Sequence, residues 1–282
     1  MLDGRPLIDV HLHPAPLGSL KVDWATWVQG RDAPELRALY REDGTVDAVR
    51  LDDLLAAEGV DAAVALAEYS PRVTGIQSAE DMAALVGPRV RFAANINPHL
   101  HHPVEDELAR QLDLGAVALK VHPVHGGFAV NHRALYPAYA MLQERGLPLV
   151  VHCGTSTFPG ALNQYGDPIA IDDLLRDFRR LDIVLAHGGR GWWYDAAAFL
   201  VLSNSHVWIE LSGLPPSRLQ TYYARHNWPR LTQKMIFGTD WPGVPGIAAN
   251  ARAVAALCPD DQTADLVLAG NAQHVYGIGG ND

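Results

Sequence analysis

The sequence predicts an α/β fold, a (β/α)8 TIM barrel forming a single domain over residues 1–282, with long βα loops after strands one and five. Three observations predict it. Eight short apolar runs alternate with longer amphipathic runs, the pattern of a parallel sheet covered by helices. The length of 282 residues is ordinary for one closed barrel. Histidines or an aspartate end several of the apolar runs at the same end, where barrel folds carry their sites.

The strand-like runs are 6–13, 62–67, 90–96, 116–122, 148–152, 183–187, 207–212 and 235–240. Most are rich in Val, Ile, Leu and Ala, as strands buried on both faces should be. Helical patterns fall at 52–58, 79–86, 104–112, 133–145, 171–180, 194–202, 217–225 and 248–257. Gly59, Gly87 before Pro88, and Gly146 before Pro148 supply breakers at their ends. Right-handed crossovers close such a chain into a barrel. An open doubly wound sheet is the rival, and the lack of a GxGxxG or Walker loop after the first strand weighs against it. Two connections exceed plain turns. Residues 14–50 carry Trp24, Trp27 and Tyr40, and residues 154–168 are rich in Gly, Ser, Thr, Pro and Asn. Loops of that length are usually functional.

Composition excludes several classes. With 48% apolar residues the chain is not a disordered one. A formal charge of −10 argues against non-specific nucleic-acid or anionic-membrane binding. Two cysteines, Cys153 and Cys258, imply no disulfide framework, so a reducing cytoplasm is the expected location. No secretory leader and no apolar stretch long enough to span a bilayer is visible.

The thirteen histidines carry the functional argument through their placement. In Ile8-Asp9-Val10-His11-Leu12-His13, alternation puts His11 and His13 on one side of the strand. If that side is the barrel interior, two imidazoles converge and can share an ion. An H-x-H pair alone is a weak signal, since His99-Leu100-His101 repeats it beside His102, where a polar loop is the plainer reading. The first pair gains weight from its company. His152 ends strand five, His187 ends strand six before Gly188 and Gly189, and Asp240 ends strand eight in Gly238-Thr239-Asp240-Trp241-Pro242. A charged Asp at the mouth of an apolar barrel is costly without a partner.

These residues resemble the amidohydrolase superfamily, and more narrowly its amidohydrolase-2 group, which includes aminocarboxymuconate-semialdehyde decarboxylase-like enzymes and lactonases. The stretch Gly270-Asn271-Ala272-Gln273-His274 is similar to that group's C-terminal segment, although His274 stands where an Arg is more usual, so neither Asn271 nor His274 is assigned a ligand role. The resemblance implies that His11, His13, His152 and Asp240 hold one divalent ion, with zinc favoured and manganese the alternative. It implies an acid/base role for His187. Lys120, at the end of strand four, matches the position of a carboxylated lysine that bridges two ions in binuclear relatives; since the resemblance is to the mononuclear branch, the plainer reading is a lysine that pairs with a substrate carboxylate or a nearby Asp. His122 shares the parity of Lys120.

The expected activity is hydrolysis of a small lactone, amide or ester, with Asp240 and His187 catalytic. The alternative is non-oxidative decarboxylation of a substituted aromatic or muconate-type acid, and a remote one is a non-catalytic metal-binding barrel. Arg190, Trp241 and His122 are the expected substrate contacts, Arg190 for a carboxylate. Trp192 and Trp193 are further aromatic candidates, Glu210 is either functional or paired with an Arg, and Cys153 reads as a buried inert thiol. The expected partner is a small-molecule substrate, with a carboxylate as one option, and a homodimer is an assembly that the resemblance implies while the sequence leaves the oligomeric state open.

Overall fold

Eight parallel strands form one sheet in the order of the chain, as the alternating pattern of apolar runs predicts. The computed structural model describes residues 1–30 and 34–279; the side chain of Trp27 also lies outside the described residues. The strands are β1 (Ile8–Leu12), β2 (Ala62–Leu66), β3 (Val90–Asn95), β4 (Leu119–Val121), β5 (Leu149–Gly154), β6 (Ile183–Arg190), β7 (Val207–Glu210) and β8 (Met235–Ile236). Helices lie between them, so the fold is the (β/α)8 barrel. Among the described residues no helix is long and apolar enough to cross a membrane.

The strands sort their apolar residues into two sets, because successive side chains point to opposite faces. Leu12, Ala63, Ala65, Leu119, Val121, Leu149, Val151 and Leu185 pack outward with the helices. Ile8, Val10, Val64, Ala118, Val150, Val184 and Ile236 form a separate inner cluster. Ala272, Val275 and Tyr276 of the last helix, Asn271–Tyr276, join that inner cluster and cover one end of the barrel. Asn271 braces β8 by donating from Nδ2 to the Met235 carbonyl at 2.7 Å, and the His274 ring packs edge-on to Trp208.

β1 and β8 meet by a seam of hydrogen bonds that closes the ring. The backbone contributes Val10 N to Phe237 O (3.3 Å), Asp240 N to His11 O (3.0 Å) and His13 N to Trp241 O (2.8 Å). The fully buried Asp9 carboxylate accepts from Thr239 N (3.0 Å), Thr239 Oγ1 (2.6 Å) and His11 N (3.1 Å). Burial pushes Asp9 up to about 7, against the donors from Thr239 and His11 that favour its anion.

Several elements differ from the sequence reading. The long connection after β1 is not a plain loop: it holds the helices Val22–Gly30 and Pro34–Arg37. The connection after β2 holds a small antiparallel hairpin, Glu68–Ser70 with Gly75–Gln77. The expected 52–58 helix begins earlier, at Ala48, because the Asp47 side chain caps the backbone amides of Val49 and Arg50. β8 is only two residues long, since Gly238 to Asp240 leave the ladder to run along β1. The His99 to His102 cluster forms a turn in which the His101 ring accepts from Asn97 N at 3.2 Å.

Replacing Thr239 by Val keeps the side-chain shape but removes one short bond to a buried carboxylate. Such a bond is worth about 1.5–3 kcal/mol. Thermal melting of Thr239→Val should therefore fall by several degrees relative to the parent, and an unchanged Tm would remove the seam from the account of stability.

Candidate metal centre and active site

The ends of the strands surround a cavity of about 580 Å³. His11, His13, Lys120, His122, His152, His187, Arg190 and Asp240 all line it, so the ring gathers the candidate metal, acid/base and carboxylate-binding residues of the sequence, but not its aromatic candidates Trp241, Trp192 and Trp193. Trp241 packs into the apolar core and is absent from the cavity wall. Trp192 is exposed on the surface. The aromatic wall is built instead by Trp24 and Phe158, whose rings meet edge-on at 4.9 Å, one from each long loop.

His11 and His13 do not reach the interior by simple alternation. Val10 already points inward with Ile8, and a register irregularity between Asp9 and Leu12 turns both histidines to the cavity. A similar local turn acts at β6. Ala186 faces inward, and His187 follows it with a left-handed φ of 66°. Gly188 and Gly189 continue the left-handed path, and a Cβ on Gly188 would run into the Tyr223 hydroxyl. Asp240 also has a positive φ, 72°. Such conformations are strained for residues with a Cβ and cluster at functional sites.

Ligand atoms of His11, His13 and Asp240 lie within 4.8 Å of one another. The Nε2 atoms of the two histidines are 3.2 Å apart, and Asp240 Oδ1 is 3.5 Å from the first and 3.3 Å from the second. The orientation of His11 is fixed from behind. Its Nδ1 donates to Glu210 Oε2 at 2.7 Å, which leaves Nε2 as a lone pair facing the cavity. Glu210 is itself fully buried and held by Ser212 through N (2.5 Å) and Oγ (2.7 Å). The open role of Glu210 is thereby settled in position: it pairs with a histidine, not with an Arg. A carboxylate behind a histidine is the usual support of a metal ligand.

His152 is buried with both ring nitrogens lacking a hydrogen-bond partner. An imidazole without partners in the interior is costly unless its lone pair meets a cation. Its ring centroid is 4.6 Å from that of His187, and the His187 ring is 4.9 Å from His11. Burial, together with the neighbouring His187 and Arg190, holds His152 well below the usual range for an imidazole. Burial likewise lowers His11 to about 4, helped by Lys120 and opposed by Glu210. Neutral rings of this kind present lone pairs, the form a metal ion needs. Desolvation opposes the Asp240 charge, but His13, His11 and Arg190 hold that carboxyl well below the usual range.

The His187 ring is pinned by its Nδ1, which donates to the Ser212 carbonyl at 2.9 Å and lies 2.9 Å from Ser212 Oγ. Arg190 is no surface residue: Nη2 donates to the Thr155 carbonyl at 3.1 Å, and Nη1 lies 3.7 Å from Asp240 Oδ2. The Lys120 Nζ is buried without a partner, and burial lowers it to about 8. Cys153 lies in the outer core, its thiol pushed up to about 12 by burial.

A second cluster escaped the sequence reading. Ligand atoms of Glu68, His122 and His125 lie within 4.8 Å of one another in the same cavity, where the His122 ring stacks on His152 at 3.9 Å. Burial works against the Glu68 charge, but the facing His122 and His125 hold its carboxyl well below the usual range. Glu68 sits in the hairpin after β2, and His125 sits in the short helix Pro123–Gly126 after β4. Neither ends an apolar strand, the signal used to find the others.

The amidohydrolase family profile matches residues 8–278, so the chain belongs to the amidohydrolase family. A search of curated proteins finds no match. Among solved structures, the chain is similar to an uncharacterized TIM-barrel protein from Bordetella bronchiseptica, at 20% identity and a TM-score of 0.75, covering 98% of this chain and 100% of that one. It is also similar to a protein described as a probable 2-pyrone-4,6-dicarboxylic acid hydrolase from Acinetobacter baumannii with citric acid bound (17% identity, TM-score 0.65, 96% and 99% covered). A third is a dihydroxybenzoic acid decarboxylase from Polaromonas with bound manganese and 2-nitroresorcinol (16% identity, TM-score 0.66, 98% of each chain covered). At these identities the likeness bears on the barrel fold.

Gly213 makes the close approach of Asp240 and Arg190 feasible. Its φ is 63°, and a Cβ there would strike Arg190 Nη1 and sit 2.9 Å from Asp240 Oδ2. Gly213→Ala should lower kcat/KM at least about tenfold by displacing the Asp240 carboxylate, the cost of roughly 1.4 kcal/mol in the transition state. Steady-state kinetics on the first substrate identified checks it, and full activity would free the arrangement from this contact.

Proposed function

We propose that the chain is a metal-dependent hydrolase that opens a small lactone, amide or ester. His11, His13, His152 and Asp240 are the residues that would hold one divalent ion, with zinc favoured by three imidazoles and one carboxylate, and manganese the alternative. The partnerless nitrogens of His152 and the Glu210-fixed lone pair of His11 support that assignment. A divalent ion there supplies Lewis acidity to a water or a carbonyl oxygen.

The observation that carries hydrolysis is the tautomer of His187. A carbonyl can only accept, so the bond to Ser212 O places the proton on Nδ1. In the neutral ring Nε2 is then an acceptor. His187 takes a proton at Nε2 before it can give one, the order expected of an acid/base residue. Hydrolysis offers that order: the attacking water loses a proton, and the leaving group later gains it. Asp240 orients the water, Arg190 meets a substrate carboxylate, and His122 and the Trp24 and Phe158 rings bound the substrate. Lys120 is a buried cation in the same wall, and its carboxylation would bridge a second ion.

A second reading, decarboxylation of a substituted aromatic acid, is favoured by the Trp24 and Phe158 rings in the cavity wall and the cationic Lys120 and Arg190 that would bind such an acid. The activity named for the Polaromonas protein points the same way. Isotopes separate the two. Turnover in H2 18O puts label into the product acid of a hydrolase, whereas a decarboxylase releases CO2 and takes deuterium onto carbon from D2O. Release of CO2 with no 18O in the organic product would overturn hydrolysis.

Chelation should abolish turnover, and one equivalent of zinc or manganese per chain should restore it; a requirement for two would assign Lys120 to a bridge. Glu210→Gln should weaken metal affinity by about 10–100-fold, read by competition with a chromogenic chelator. His187→Gln should cost about 10²–10⁴ in kcat while leaving metal content unchanged.

A further inference from the structure

The cluster of Glu68, His122 and His125 has an order of hydrogen bonds that a metal site would not need. The Ser156 hydroxyl donates to His125 Nε2 at 2.8 Å. His125 Nδ1 donates to Glu68 Oε1 at 2.7 Å. Glu68 Oε1 also accepts from Thr74 Oγ1 at 2.7 Å. Both nitrogens of His125 are thus engaged, one by an acid and one by a hydroxyl, whereas His152 has both free. A ligand histidine keeps a lone pair for the ion, and His125 has none to spare. The chain hydroxyl, imidazole, carboxylate is instead the geometry of an activated nucleophile, with its base and the group that orients the base.

We propose that Ser156 is a second nucleophile in this cavity, activated by His125 as general base with Glu68 as positioning residue, and that it cleaves small carboxylic esters through an acyl-enzyme. The inference does not rest on the metal centre. Ser156, His125 and Glu68 all line the cavity. The imidazole is held rigidly: it stacks on His122 at 3.5 Å and 10°, and its own backbone N–H donates to His122 Nδ1 at 3.2 Å. The serine is held too, because its backbone N–H donates to Asn163 Oδ1 at 2.8 Å. Rigid placement of this kind is what turns hydrogen-bond reach into rate.

The chemistry closes on itself. Oγ bonds to the acyl carbon as its proton passes to His125 Nε2. The ester C–O bond breaks, and the departing alcohol takes that proton. Water then gives a proton to Nε2 and its hydroxyl to the acyl carbon, the Oγ–C bond breaks, and Ser156 recovers its proton with release of the acid. The Phe158 N–H donates to Oγ at 3.3 Å and helps to orient it, and Lys120, whose Nζ has no partner, lines the same cavity as a positive group for the developing oxyanion. Ser156 does not stand in a G-x-S-x-G turn, so no sequence motif marks it.

The test uses the full-length protein and a fluorophosphonate, which phosphonylates an activated serine with loss of fluoride. Peptide mass mapping should find a single adduct on Ser156. Ser156→Ala should abolish it, and His125→Gln should slow it at least about 100-fold. Glu68→Gln should also slow it, with Glu68→Asp recovering part of the rate, which a merely structural loss would not do. Hydrolysis of p-nitrophenyl acetate should show a burst of one equivalent per chain. An unlabelled Ser156 in the folded parent protein overturns the proposal, as does labelling at undiminished rate in His125→Gln. A second tightly bound zinc ion that is lost in Glu68→Gln would overturn it in favour of a metal site.

Discussion

The site exists because the first and last strands of the barrel are locked together. Asp9 is buried two residues before His11, and its oxygens accept from Thr239 and from the His11 amide. The Asp240 amide in turn donates to the His11 carbonyl. One carboxylate therefore fixes two segments more than 200 residues apart in the chain, and the ligand side chains on both inherit their spacing. A buried acid with fewer donors would be driven to its neutral form and would lose the seam.

Around that seam, proton positions are dictated from behind the reacting faces. Ser212 is the node: its hydroxyl lies 2.9 Å from Nδ1 of both His11 and His187, and it also donates to Glu210. The two rings are thereby held with their Nδ1 atoms toward the protein. Their Nε2 atoms are thereby left as lone pairs, beside the cationic Lys120 and Arg190, as the proposed metal site and the proposed proton acceptance at His187 would require.

Much of this was legible in the sequence. Strand-end His152, His187 and Asp240 are found by reading where apolar runs stop, and the barrel brings them to one cavity. His11 and His13 were found for an incomplete reason, since alternation alone would turn them opposite to Val10 and only the bulge reverses them. Glu210 and Ser212 lie at alternate positions of one strand end, yet pairing with a histidine from β1 depends on tertiary closure that periodicity does not encode. Trp241 was misplaced because its neighbour Asp240 reaches the cavity while its own backbone joins the seam to His13. Glu68, His125, Ser156 and Phe158 come from a hairpin, a single helical turn and a long loop, where side-chain direction follows local turn geometry and not a repeat.

The hairpin after β2 is stitched to the long connection after β1. Leu20 bridges Gly75, Lys21 N donates to the Thr74 carbonyl at 2.9 Å, and Gln77 Nε2 donates to the Ser19 carbonyl at 3.0 Å. Gly75 has no room for a Cβ against Ser19. These two excursions therefore form one exchangeable cassette. Anyone seeking to retarget the enzyme by transplanting the aromatic lip around Trp24 from a relative inherits an obligation to move the neighbouring ribbon with it, and with the ribbon goes the carboxylate of Glu68.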